Sequence, residues 1–398
     1  MMHMWEKGEY GHYAYYVAMA TILLAIAEFG TPNVFRKSFN NVENYNNKQV
    51  YSSIYAIRFV FLLVVSFIFI FLAFYYSSAF FIFYSFTTLI ISFRLNEYKL
   101  EMTSENGFIS KIKSLVYLVG LILKVSFVCL GFKLEVIAFI TLLEHCAFSI
   151  AFYYKAGFDF RYKDVNSKLV KCFIGASVAF AVTYLITLLG GKVYTLLVFN
   201  VLGSEDTAVF AFSTRMLEII LVPTQVFPVV LIPLLIKSAF ERDVTYEHFS
   251  RLFSYSYLFV TLMSIAIIPL VLPYLIDDYE EVVDFLMVYF LTLLFFLWNS
   301  LSSVFYISHG LNKILVYRAF SLLVVNTIVG VFLMSFLGLV GIVYAIIFSF
   351  IFVDLSSAIV SKVCRAELTT RIKGLSSPWN IPYSIVFLTK SFDRERNQ

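Results

Sequence analysis

Apolar residues fall in long unbroken blocks along the whole chain, separated by short polar connections. Blocks of about 20 residues have the length of a helix that crosses a hydrocarbon core. The pattern predicts helices over 10–29, 54–76, 79–93, 114–132, 134–154, 170–189, 211–236, 252–276, 283–308, 314–336 and 339–361, about eleven spans. The block at 79–93 is short for a span. The stretch 192–203 reads as an extension of the sixth helix past Gly190-Gly191. The blocks do not alternate and exceed the length of a barrel strand, so strands are a poor alternative. The expected fold is all-α, a polytopic transmembrane helical bundle.

Composition agrees. Of the 398 residues, 60% are apolar and 14% charged, whereas a soluble domain is about half apolar and a quarter charged. That excludes an ordinary cytosolic enzyme, a nucleic-acid binder and a disordered chain. The 45 Phe suit a lipid-facing surface and the 27 Tyr suit the two interfaces. Cys129, Cys146, Cys172 and Cys364 stand singly, without a spacing for a disulfide framework or a metal. No cofactor is implied.

The connections carry the basic residues on alternate sides. One set, from Arg36, Lys37 and Lys48 to the tail residues Lys362–Arg396, holds 24 of the 30 Lys and Arg. The other holds Lys7, Lys133 and Lys192, and Arg58, Lys124 and Arg215 lie inside predicted helices. By the positive-inside rule the C-terminus is cytoplasmic and the residues before Tyr10 are outside. Those residues lack the basic region and apolar core of a signal peptide, so the first run reads as a retained span. An outside N-terminus points to a first span absent from this chain, through a start placed too far downstream or a shortened chain. The outer connections are short. The longest is acidic, with Asp277, Asp278, Glu280, Glu281 and Asp284. The tail, 362–398, has seven basic residues against three acidic, which suits a cytoplasmic helix or disordered segment near anionic headgroups. Pro378 and Pro382 argue against one long helix there.

Two segments read alike: KGEYGHYAYYVAMATILLAIAEF from Lys7 and LGSEDTAVFAFSTRMLEIILVP from Leu202. Each has a Gly, an acidic residue, a small/aromatic alternation and a long apolar helix. This spacing implies two halves, 1–167 and 168–361, followed by the tail. Halves of this kind enclose a central cavity in many transporters.

Three stretches carry a resemblance. They are KGEYGHYAYYVAMATILLAIAEFGTPNVFRK, LGSEDTAVFAFSTRMLEIILVPTQVFPVVLIPLLIK with its proline-containing exit, and ISHGLNKILVYRAFSLLVVNTIVGVFLMSFLGLVGIVYAIIFSF with Asn326, Gly338 and Gly341. In order and spacing the chain resembles the polysaccharide-export, or O-antigen (Wzx-type), flippases of the multidrug/oligosaccharidyl-lipid/polysaccharide (MOP) superfamily. The resemblance implies a MATE/MOP-like bundle of two pseudo-repeated halves in the bacterial inner membrane. It implies translocation of an undecaprenyl-pyrophosphate-linked oligosaccharide. Partners would be membrane lipids, H+ or Na+ as coupling ion, and a polysaccharide polymerase with its chain-length regulator. The departure is at the front, where the family's usual first helix is absent.

Charges inside spans are costly, about 2.5–3.5 kcal/mol each on insertion scales, so each wants a reason. Lys124 and Glu144 sit roughly 10–17 Å from the turn at Gly131 on adjacent helices, by helical rise. They either pair with each other or face a wet cavity. His145 is a packed neighbour or a proton relay. Arg215 and Glu218 share a helix face near the outer end of 211–236, as a salt bridge or as a site. Arg58 lies one turn inside its helix and either snorkels outward or serves the cavity. Glu28 and Asp354 lie near cytoplasmic helix ends. As a site, Lys124, Arg58 and Arg215 would hold the anionic pyrophosphate, with arginine favoured for its fork of donors. Glu144, Glu218, Asp354 and Glu28 would be ion-pair or coupling groups. Tyr16, Tyr184 and Tyr306 are candidates to stack on sugar. Pro223, Pro228, Pro233, Pro269 and Pro273 would either bend helices during rocking or shape static ends.

Two other readings stay open. One is a different exporter of the same fold, for a drug or a lipid-linked peptidoglycan precursor. The other is a membrane polymerase or glycosyltransferase using the DDYEEVVD run, since carboxylates bind metals and act as bases.

Overall fold

The computed structural model describes residues 6–39, 46–157, 159–237, 242–274, 279–309, 311–376 and 380–384, with backbone only over 223–237 and at 179, 183, 187, 190, 242, 243, 279, 312, 375 and 376. They form helices α1 (Lys7–Glu28), α2 (Thr31–Ser38), α3 (Asn47–Tyr76), α4 (Ala79–Ile91), α5 (Leu95–Met102), α6 (Asn106–Cys129), α7 (Glu135–Ala156) and α8 (Ser167–Val201). There follow α9 (Ser204–Lys237), α10 (Arg242–Val271), α11 (Tyr279–Tyr289), α12 (Leu293–Ser308), α13 (Asn312–Leu337), α14 (Leu339–Val360) and α15 (Lys362–Ser376). No strand occurs among the described residues. Ten of their helical segments are long and apolar enough to cross a membrane. The predicted span at 211–236 lies within α9, whose side chains beyond residue 222 are outside the described residues, as are those of Pro223, Pro228 and Pro233.

Several local expectations resolve. The short block at 79–93 is part of a segment long enough to span, because a 3-10 turn at Ser92–Arg94 passes α4 directly into α5 and the segment runs to Met102. Neither Gly nor Pro interrupts it. Gly190-Gly191 does not break its helix, since α8 is continuous through both residues. Pro269 lies inside the last turn of α10 and Pro273 in the 3-10 turn that closes it, so this pair shapes a helix end. Glu280, Glu281 and Asp284 belong to α11 rather than to a loop, and all three are exposed. Asp277 and Asp278 lie outside the described residues.

By its contacts the chain forms two compact units, one over 15–192 and one over 193–398, with residues 10–14 of α1 joining the second. The first has a core of Val34, Phe35, Tyr51, Ile54, Leu95 and Phe173, drawn from α2, α3, α5 and α8. The second has a large cluster built on Phe210, Leu286, Phe290, Ile342 and Phe350 and a smaller one on Tyr246, Leu301 and Phe305. The tail helix α15 is no free appendage. It packs on α10 and α14, and Cys364, Glu367 and Arg371 are buried. Pro378 and the basic residues Lys390, Arg394 and Arg396 lie outside the described residues.

Apolar burial gains little between helices already in lipid, so close backbone approach and buried polar contacts must hold them. The motif glycines provide the first. Phe29 and Gly30 both take positive φ, 46° and 64°, and reverse the chain between α1 and α2. Phe29 then stacks on Phe61 at 4.0 Å. A Cβ on Gly30 would lie 2.6 Å from the carbonyl oxygen of Ser177, so α8 crosses this turn in backbone contact. Gly338, at φ 60° and ψ −144°, joins α13 to α14 as the sole connecting residue. A Cβ on Gly341 would lie 2.4 Å from the Leu333 carbonyl oxygen. Farther down the hairpin Asn326 accepts from Ser349 Oγ at 3.3 Å, and its backbone oxygen accepts from Tyr194 Oη at 2.9 Å.

Gly341→Ala should therefore destabilise the protein by about 1–3 kcal/mol through overpacking. A Cβ on Gly107 meets nothing within 4 Å, so Gly107→Ala is the matched control. Thermal unfolding in detergent should lower the melting point for the first substitution and not the second.

Candidate functional site

The seven candidate residues sort into three ion pairs and one carboxylate held by two arginines. Lys124 and Glu144 meet across the α6–α7 hairpin, with Nζ donating to Oε1 at 2.7 Å and to Oε2 at 2.8 Å. The turn at Gly131, φ 76°, sets the register. The carboxylate lies in a notch over Gly120, where any Cβ would fall 1.8 Å from Glu144 Oε1. Gly120 and Lys124 are four apart and share a face of α6. His145 points elsewhere, edge-on to Phe148, and its buried Nδ1 has no hydrogen-bond partner among the described residues.

Arg58 does not snorkel. It is fully buried, and its Nη2 donates to Glu28 Oε1 at 3.1 Å and to the Ile91 carbonyl at 3.2 Å. The Tyr98 ring lies 5.6 Å below its guanidinium. Glu28 also faces Arg94 at 3.9 Å, Arg94 pairs with Glu97 at 3.1 Å, and Glu97 accepts from Lys113. Five charges of alternating sign thus link α1, α3, α5 and α6 at the basic end of the first unit. The sign changes at every step, so each charge has an opposite neighbour.

The second unit closes its basic end in a similar way. Asp354 on α14 accepts from Arg318 at 2.6 Å and from Arg371 at 2.5 Å. Glu367, fully buried on α15, accepts from Tyr246 Oη and Ser302 Oγ, both at 2.8 Å, and faces Arg371 Nε at 3.5 Å. Burial alone would pull the Arg371 guanidinium down. Glu367 and Asp354 outweigh it and push the group above the ordinary arginine range. Arg318 also sits over Tyr306, which is fully buried beneath it at 5.3 Å, so that ring offers no face to a sugar. Tyr16 is half-buried against Phe80, Phe81 and Tyr76, while Tyr184 is well exposed.

Arg215 differs from all of these. Its Nη1 donates to Glu218 at 2.6 Å, yet the two side chains remain 55% and 44% exposed. Because α9 begins at Ser204, Arg215 lies about 16 Å along the helix and Glu218 about 21 Å. Tyr289, beside this pair, bonds Thr214 at 3.5 Å. Within an apolar helix, an exposed ion pair is favoured where it meets water or a polar ligand, because hydrocarbon would penalise it.

Arg94, Glu97, Lys113, Arg318, Glu367 and Arg371 escaped the sequence reading. All but Glu367 and Glu97 had been counted as topology markers in basic connections. The spacing of Arg94 and Glu97, and of Glu367 and Arg371, was the available signal, since i,i+3 and i,i+4 pairs share a helix face.

Solved structures resemble this architecture. A multidrug-resistance MATE-family transporter of the MOP superfamily, in an inward-facing conformation, matches with a TM-score of 0.67 over 92% of this chain and 90% of that one, at 13% identity. A MOP-superfamily transporter from Pyrococcus furiosus, whose binding pocket is described as of reverse polarity, matches with a TM-score of 0.54 over 94% and 89%, also at 13% identity. No family model matches the sequence, and no curated protein does. The chain has the MATE/MOP transporter fold.

Removing one partner of a buried pair strands the other charge, whereas replacing both with apolar groups relieves it. Lys124→Met should cost about 3 kcal/mol by leaving Glu144 alone. The double variant Lys124→Met/Glu144→Met should recover most of that in detergent unfolding. A double variant as unstable as the single one would show that the pair does more than neutralise itself.

Proposed function

We propose that this protein translocates an anionic, lipid-anchored substrate across the bacterial inner membrane, with its C-terminus cytoplasmic. The favoured substrate is an undecaprenyl-pyrophosphate-linked oligosaccharide, the O-antigen or polysaccharide repeat unit. The observation that carries the reading is the exposed Arg215–Glu218 pair on the apolar helix α9 of a chain with this fold.

The chemistry follows from the substrate. A pyrophosphate and a sugar head cannot enter hydrocarbon, while a polyisoprenoid tail stays there. The protein must offer the head a wet path and a counter-charge. A guanidinium binds phosphate through a planar fork of donors. Glu218 holds that fork in place and keeps the pair neutral between cycles. An arriving pyrophosphate would displace Glu218 from Arg215 rather than find a bare cation. Tyr184 has the exposure a sugar-stacking ring needs. Lys124 and Arg58 are weaker anchors, since each is held by its own carboxylate and largely buried.

Acidic groups paired in one state and exposed in another couple transport to H+ or Na+, because an ion shifts the equilibrium by its difference in affinity. Glu144, Glu218, Asp354 and Glu28 are the groups placed to do so. Membrane lipids, a polysaccharide polymerase and a chain-length regulator complete the partners we expect. A different exporter of the same fold, for a drug or a lipid-linked peptidoglycan precursor, is the second reading; an exposed arginine on α9 favours an anion over a cationic drug. A polymerase or glycosyltransferase is a weaker third.

The test is flipping of a fluorescent pyrophosphate-linked oligosaccharide in proteoliposomes, beside rescue of surface polysaccharide in cells lacking their O-antigen flippase. Transport should be present, and Arg215→Ala should lower it about 10- to 100-fold, the loss of one charge-assisted contact of about 1.5–3 kcal/mol. An Arg215→Ala protein that flips at the full rate would remove the phosphate anchor. No transport by a folded, inserted protein would move the reading to the other exporters.

A further inference from the structure

The charges linked at the basic end of the first unit are uneven. Arg58, Arg94 and Lys113 bring three positive charges against two negative ones on Glu28 and Glu97. Arg58 is fully buried and takes Glu28, while Lys113 donates to Glu97. Arg94 is left between them. It ends the 3-10 turn that passes α4 into α5, so its Nε donates to Glu97, three residues on, at 3.1 Å. Its Nη1 stands 3.9 Å from Glu28, beyond hydrogen-bond length. Among the described residues neither terminal nitrogen of Arg94 donates a hydrogen bond, and a quarter of the side chain is exposed. Arg318 and Arg371, by contrast, set terminal nitrogens on Asp354. Tyr184 reaches the same place from α8. A Cβ on Gly30 would lie 2.7 Å from the Ala181 nitrogen, so α8 passes in backbone contact two residues after Glu28. Tyr184 is one turn beyond Ala181 and 44% exposed, with Glu28 and Arg94 as the charges in its electrostatic reach. Its hydroxyl has no hydrogen-bond partner among the described residues. A surplus positive charge three-quarters shielded from water draws an anion strongly, because screening there is weak.

We infer that Arg94 and Tyr184 form an anion-binding site in the first unit, and that its ligand is a singly charged phosphate diester carried by a lipid. The terminal edge of the Arg94 guanidinium presents two parallel N–H donors, which match the two unesterified oxygens of such a phosphate. Tyr184 donates its hydroxyl to one of the same oxygens, whose remaining lone pairs are open. Lys113 keeps its bond to Glu97 and so leaves that carboxylate shared between two cations. One bound negative charge brings the five groups to neutrality. Glu28 bounds the site on one side and sets that limit, since a second negative charge would meet its carboxylate uncompensated. Arg94 and Tyr184 both belong to segments apolar and long enough to cross a membrane, so an anion that arrives there on a lipid tail stays in its own solvent. Two lipids offer this phosphate: an anionic phospholipid, and the pyrophosphate-linked sugar of the function proposed above, each of whose phosphates carries one charge. Only the second source rests on that function.

The test is calorimetric titration of the full-length protein in phosphatidylcholine nanodiscs, in an Arg215→Ala background so that the second unit's arginine does not report. The two probes are dioctanoyl phosphatidylglycerol and a farnesyl-pyrophosphate-linked monosaccharide. At least one should bind. Arg94→Gln should weaken that binding about 10- to 100-fold, the loss of a charge-assisted contact. Arg94→Lys keeps the charge without the fork and should weaken it about 10-fold. Tyr184→Phe removes one donor from an exposed side chain and should weaken it several-fold. Lys163→Gln, on an exposed cation in the α7–α8 connection, should leave it unchanged. If Arg94→Gln does not fold, Arg94→Lys and Tyr184→Phe carry the comparison. Tighter binding of phosphatidylglycerol would make the occupant a resident lipid, and tighter binding of the sugar-linked probe would make it the translocated one. Binding of neither probe, binding indifferent to the Arg94 and Tyr184 variants, or equal weakening by Lys163→Gln would overturn the site. A protein that binds phosphatidylglycerol through Arg94 yet flips no lipid-linked sugar would count against the flippase and not against this inference.

Discussion

The cost of holding a charge away from water governs this protein. Lys124, Arg58, Arg318 and Arg371 each sit where an isolated cation would be expelled or neutralised. Each is kept by a carboxylate from another helix or, for Arg371, also from its own. The pairs do not add much to stability over an apolar filling. They dictate which helices must be neighbours and at what height, because any other arrangement strands a charge.

The long elements were legible because the constraint on them is one-dimensional. A block of apolar residues long enough to span is read directly from 54–76 or 339–361, and the expectation of an all-helical bundle held. Junctions needed more. The connection of α4 to α5 through a 3-10 turn depends on the absence of breakers between Ala79 and Met102, which an apolarity window ending at Phe93 ignores. Gly190-Gly191 reads as punctuation locally, yet the helix runs through it.

The candidate site was legible only where charge broke an apolar run. Lys124 and Glu144 stood out for that reason, and their pairing follows from a hairpin whose turn fixes the register. Asp354 stood out too, but its partners did not. Arg318 and Arg371 lie near helix ends, where a basic residue satisfies the topology rule and draws no further attention. Glu367 was hidden in a tail that reads as polar and basic. Its burial arises from packing against α10, and no one-dimensional pattern contains that packing. Arg215 and Glu218 were found as a pair because three residues' spacing puts them on one helix face.

The hairpin pairs also bear on how the chain enters the bilayer. Lys124 precedes its partner by 20 residues and Arg318 precedes Asp354 by 36. Each cation emerges from the ribosome well before the carboxylate that neutralises it. Gly338 leaves no slack between α13 and α14. A translocon that released α6 or α13 into lipid alone would strand a bare charge there. Insertion of α6 with α7, and of α13 with α14, as hairpins would bring each cation to its carboxylate as both leave water.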